Sequence, residues 1–192
     1  MSSWSSTAAS RLRRLRRVAL PLAFLVLWTA TARAEVVHSG PVADARIALE
    51  SSGAPVVAYI TGGLLSLASR DAATATWSSR PLFILPSHEV ELDGLAVAAN
   101  RRTNVLLRST DGKWLALAAE VTPGRWRWSV IVPDTRRDLI GPAGLALDAA
   151  GRPLVAYALW QPSRKTFLRL VRFDARGRPQ ARPVTRKGFP PS

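Results

Sequence analysis

Between residues 47 and 70 short apolar runs alternate with turn chemistry. Ile47 and Leu49 flank a small residue, the period-two pattern of a strand with one buried face. Ser51-Ser52-Gly53-Ala54-Pro55 then predicts a turn, because glycine permits positive φ while proline presets φ and withholds a donor. The β-branched and aromatic run Val56–Ile60 reads as the second strand of a hairpin. Thr61-Gly62-Gly63 turns again, and Leu64–Ser69 makes a third strand. Thr76–Leu82 is a weaker fourth, on whose edge Pro81 is tolerable.

The pattern recurs. Residues 48–59 and 146–157 align at a constant offset of 98, with seven of twelve positions identical and Glu50 matched by Asp148. A degenerate copy, residues 96–108, lies between them and reads as one residue longer in its turn. The three starts, Ile47, Leu95 and Leu145, are 48 and 50 residues apart. The second copy supplies strands at Trp114–Ala118 and Trp126–Val132. The third supplies Thr166–Phe173 and a faint Gln180–Val184. Alanine- and leucine-rich stretches such as 143–150 admit a helix, but they are short and bracketed by Gly-Pro and Gly-Arg-Pro. The fold class expected is therefore all-β, with about three four-stranded antiparallel units at residues 44–86, 93–133 and 143–185.

The run Ala-Leu-acid-x-x-Gly-x-Pro-x-Val-Ala-Tyr, followed by a Leu-x-Leu strand and a tryptophan-led strand, resembles the repeat of bacterial secreted β-propellers. The resemblance covers about residues 44–185 and implies four-stranded blades. Closed propellers have about four to eight blades, so three imply an incomplete ring or one completed by oligomerisation. Such folds host hydrolases, lectins and scaffolds alike, so the resemblance leaves the activity open. A leading strand at Glu35–His38 is placed to pair with the open edge of the last blade.

The N-terminus changes the picture of charge and compartment. Ser10–Arg17 holds five arginines and no acid, Val18–Trp28 is apolar, and Thr31-Ala32-Arg33-Ala34 offers small residues for cleavage. Residues 1–34 thus read as an export signal, with a permanent membrane anchor as the alternative, and the mature chain is expected outside the cytoplasm, periplasmic or secreted. Six of the 27 basic residues lie in this segment, so 21 remain against 13 acids, a net charge of +8 rather than +14. From Arg152 onward ten basic residues face one acid, Asp174. The chain has no cysteine, which excludes disulfides and thiolate metal ligands.

Candidate chemistry is sparse. His38 and His88 are the two histidines, too few for a three-histidine zinc site, and neither metal nor cofactor is expected. The acidic stretch 87–94 reads as a solvated inter-blade loop, with a cation site as the alternative. Ser109–Trp114 resembles the aspartate box of sialidase-type propellers, but its glycine and tryptophan come too early, and Asp111-Gly112 reads better as a tight turn. Glu50 and Asp148 are expected to cap turns, and Tyr59 and Tyr157 to pack. In Arg125-Trp126-Arg127-Trp128 a strand sets both tryptophans on one face and both arginines on the other. Arg164, Lys165, Arg169 and Arg172 head the basic C-terminal quarter, although alternation separates Arg169 from Arg172. These eight residues are the candidate ligand contacts. A charge of this sign attracts anions.

The expectation is a non-catalytic binding module for a protein or an anionic glycan. The alternatives are a propeller-fold glycan hydrolase or lyase, and a structural subunit completing a ring, either as a homo-oligomer or with a partner chain. Nucleic acid is not the expected partner, and contact with a membrane is expected only through an uncleaved signal. Residues 188–192 read as a flexible tail.

Overall fold

The computed structural model describes residues 35–71, 73–86, 89–133, 138–162, 166–174 and 176–184. The expected export signal, Ser87, His88, Arg164, Lys165, Arg186, Lys187 and the tail lie outside them. Every strand among the described residues lies in the unit 37–192.

Among the described residues, twelve strands form three four-stranded antiparallel sheets, each built from consecutive hairpins. The first sheet holds β1 (Asp44–Leu49), β2 (Pro55–Thr61), β3 (Leu64–Arg70) and β4 (Trp77–Ile84). The middle sheet holds β5 (Val90–Val97), β6 (Thr103–Ser109), β7 (Leu115–Thr122) and β8 (Arg125–Val132). The last holds β9 (Leu139–Leu147), β10 (Pro153–Trp160), β11 (Thr166–Phe173) and β12 (Pro179–Pro183). The all-β, blade-like repeat read from the sequence is the fold.

Alternation decides which side chains fill the seams. Val56, Ala58 and Ile60 of β2, with Leu65 and Leu67 of β3, meet Leu92, Val105, Leu107 and Ala118 of the middle sheet. The opposite face of the middle sheet, through Leu106, Leu115 and Leu117, meets Val155, Tyr157, Leu159, Val171 and Phe173 of the last. One sheet is therefore covered on both sides, and burying these faces drives the stacking.

Four hairpins share one turn. Glu50 N–H donates to Ala54 O and Gly53 N–H to Glu50 O; the same pair of bonds closes 98–102, 148–152 and 174–178. The fourth residue of each is left-handed: Gly53, Arg101, Gly151 and Gly177, with φ between +62° and +82°. The middle copy is thus not longer, contrary to the alignment. It carries Arg101 where the others have glycine, which hides the match in sequence. Asp148 accepts from Ala150 N–H and Arg152 N–H, both at 2.9 Å, and Asp174 accepts from Arg176 and Arg178 N–H.

Two further expectations are corrected. Residues 35–43 carry no strand; instead the His38 ring lies 5.0 Å from that of Tyr59. Within the acidic stretch, Val90–Gly94 opens β5 rather than forming a loop. Its carboxylates are matched across the hairpin by Arg108, bound to Asp93 at 2.7 Å and Glu91 at 2.6 Å. That pairing, led by the Asp93 hydrogen bond, raises the Arg108 pKa further. Leu92, between the two acids, is fully buried.

Candidate functional site

Two concavities flank the middle sheet, one on the side of the first sheet and one on the side of the last. The first is an apolar groove of about 330 Å³ lined by Pro86, Trp114, Trp128, Val130 and Pro133. Trp114 closes the β6–β7 turn and Trp128 projects from β8. Their ring centroids are 6.2 Å apart at 55°. Phe83 of β4 meets Trp128 edge-on at 5.6 Å, a favoured geometry that holds the indole in place. Trp128 nevertheless remains 40% exposed and Val130 48%. A rigid indole face is thus open to solvent beside a second indole and two prolines.

The second is a cleft of about 340 Å³ between the middle and last sheets, with Asn100, Arg102, Glu120, Arg127, Arg152 and Asp174 in its wall. Most of its charge is already engaged. Arg127 donates to Arg176 O and Ser129 to Gly177 O, so β8 clamps the β11–β12 turn. Arg152 pairs with Asp148 at 2.7 Å. Glu120 accepts from Gly124 N–H at 2.8 Å, Thr103 N–H at 3.3 Å and Arg80 at 3.2 Å. Asp174 is the turn cap described above. This cleft is a braced seam between sheets.

The predicted contacts separate. Trp126 packs on the core shared with the first sheet, and Trp128 lies on the same face. Arg127 points the other way, toward the last sheet, as alternation requires. Arg125 is exposed at the start of β8. Arg169 faces inward on β11, opposite Tyr157, with its guanidinium 6.0 Å from the Phe167 ring centroid. Burial raises the Tyr157 pKa, and the Arg169 charge opposes that rise. Arg172 lies exposed on the outer face. The described arginines among the predicted contacts, Arg125, Arg127, Arg169 and Arg172, therefore do not share one face. Pro86 and Val130 were not singled out by sequence, and Trp114 entered there only through the aspartate-box likeness; an aromatic residue two positions after the Asp111-Gly112 turn was the available signal. Among the described residues, no three His, Asp or Glu side chains converge as metal ligands would.

No protein-family model and no curated protein matches the chain. Among solved structures it is similar to an endo-1,4-β-xylanase from Bacteroides thetaiotaomicron, with a TM-score of 0.52 and 13% identity, over 83% of this chain and 64% of that one. It also aligns with a fucose lectin from Kordia zhangzhouensis bound to methyl-fucoside, with a TM-score of 0.44 and 12% identity, over 74% of this chain and 99% of that one. The chain thus spans about two thirds of the xylanase's length. At this identity the likeness is one of fold: an all-β chain of three four-stranded antiparallel sheets, similar in architecture to part of a larger protein.

Proposed function

We propose that the protein is an exported, non-catalytic module that binds a glycan through the aromatic groove. The observation that carries this reading is the open Trp128 face, fixed by Phe83 and flanked by Trp114, Val130 and Pro86. Sugar rings present apolar C–H faces to such a surface while their hydroxyls stay in water. Export rests on the N-terminal sequence pattern alone. Placement of the basic residues on different faces moves the proposed ligand contacts away from arginine, so recognition depends on stacking rather than charge.

The test is a screen of glycans and soluble envelope polysaccharides with wild type and Trp128→Ala, in low salt and in about 1 M salt, where the Debye length falls to ~3 Å. Covering roughly 60 Å² of apolar surface at ~25 cal/mol per Å² contributes about 1.5 kcal/mol, a tenfold change in affinity. Trp128→Ala, its fold checked by circular dichroism, is expected to bind at least about tenfold more weakly, and wild-type binding is expected to survive salt. Binding abolished by salt, or unchanged in the variant, overturns the reading.

A further inference from the structure

The outermost faces of the stack carry core-type residues with no sheet against them; on the first, Tyr59 is buried beside the His38 ring, whereas Ile47 and Leu49 lie open. Strand register identifies equivalent positions. Leu49, Val97 and Leu147 stand opposite Pro55, Thr103 and Pro153 in the first hairpin of each sheet. It follows that Ile47, Leu95 and Leu145 are one position, and that Leu65, Leu115 and Leu168, facing Ile60, Arg108 and Ala158, are another.

The burial of each position depends on whether its sheet has a neighbour. Leu65 and Leu115 are fully buried against the following sheet, whereas Leu168 is 38% exposed. Leu95 and Leu145 pack into the seam with the preceding sheet, whereas Ile47 is 67% exposed and Leu49 62%. The face of the last sheet repeats that of the first by sequence: Val56, Ala58 and Ile60, all buried, become Leu154, Ala156 and Ala158, all half-exposed.

One contact makes the match specific. A Cβ at Gly94 would lie 2.6 Å from Leu145 Cβ, so at this point β5 passes β9 at a distance that suits glycine. The equivalent of Gly94 is Gly144, which has nothing within 4 Å, and the equivalent of Leu145 is the exposed Ile47. Both halves of this contact are present, at opposite ends of the stack, and unmet.

We propose that two copies of this chain join head to tail, the Ile47 face of each on the Leu168 face of the other, closing a ring of six sheets. Closed rings of four-stranded blades have about four to eight members, and six is the only multiple of three in that range. The contact is heterologous and forms twice around a two-fold axis. This pairing is independent of what the aromatic groove binds.

The experiment compares the subunit mass of the purified chain with its mass in solution by light scattering after size exclusion. Twice the subunit mass is expected. Because the chain has no cysteine, the double variant Ile47→Cys/Gly144→Cys places two thiols within disulfide reach across each contact, while each single variant has no partner there. Oxidation is expected to give a covalent dimer from the double variant alone. Leu168→Asp is expected to halve the solution mass while leaving the circular dichroism unchanged. A solution mass of one subunit in the unmodified chain overturns the proposal. So does a ladder of larger cross-linked species, which would mean that the faces meet without closing a ring.

Discussion

Removing the Glu120 carboxylate tests whether one acid braces two sheets. Its side chain is 6% exposed and accepts hydrogen bonds from two backbone N–H groups and from Arg80 of the first sheet. In Glu120→Ala the buried Thr103 N–H loses its acceptor, at a cost of about 1–3 kcal/mol. Gly124 is exposed, so water replaces most of its bond, at about 0.5–1 kcal/mol. Arg80 is half-exposed and regains solvent at a cost under about 1 kcal/mol. The total is about 1.5–5 kcal/mol, a large share of the ~5–15 kcal/mol that holds a domain folded. Arg80→Ala, which leaves both backbone donors satisfied, is expected to cost less than about 1 kcal/mol. Urea unfolding followed by tryptophan fluorescence gives both values, with the slope checked for constancy. Equal losses in the two variants would refute the reasoning, because the ion pair rather than the backbone bonds would then carry the effect. So would a loss below about 1 kcal/mol in Glu120→Ala.

Gly94→Ala forces a methyl onto Leu145 Cβ and is expected to destabilise by about 1–3 kcal/mol. Adding Leu145→Ala should recover part of that loss in a double-mutant cycle, and strict additivity would contradict the contact. The Asp148 carboxyl is held below its ordinary value of 3.8, chiefly by the Arg152 side chain, and that of Asp174 chiefly by the Arg178 backbone N–H. Both values are lowered by folding, so the stability they contribute is complete above the ordinary value and lost as pH falls through the lowered one. Tm should therefore decline on acidification below about pH 4, and Asp148→Asn, which keeps a capping oxygen, should decline less; identical pH profiles would rule out the turn aspartate as a contributor.

What the sequence reveals here follows from the distance over which each feature is encoded. The hairpins are legible because strand, turn and strand lie within about fifteen residues, and three copies reinforce one another. Val90–Gly94 escapes because Glu91 and Asp93 imitate a loop; the residue that makes them strand-compatible, Arg108, sits on the neighbouring strand. The start of β9 is hidden by Gly141-Pro142, which the strand passes through. Arg101 masks the middle turn by holding a left-handed backbone without glycine, assisted by its contact with Glu50 at 3.4 Å. The site is less legible still. Alternation separates Trp128 from Arg127 correctly, but the groove also needs Phe83 from the first sheet and Pro86 from the connection after it, and no local pattern brings those residues to a β8 tryptophan.

Coverage of the middle sheet on both sides has a consequence for the order in which the chain opens. In a stack where each unit touches only its neighbours, stability is approximately the sum of unit and interface contributions. The middle sheet has two interfaces in the single chain and each flanking sheet has one. Six of the seven residues of β6 are buried, against one of the eight residues of β8. Opening therefore begins at the first and last sheets, and the amides of β6 and β7 exchange with solvent deuterium last. A chain whose end faces are covered by another copy loses that gradient, so its flanking sheets gain protection while its centre changes little.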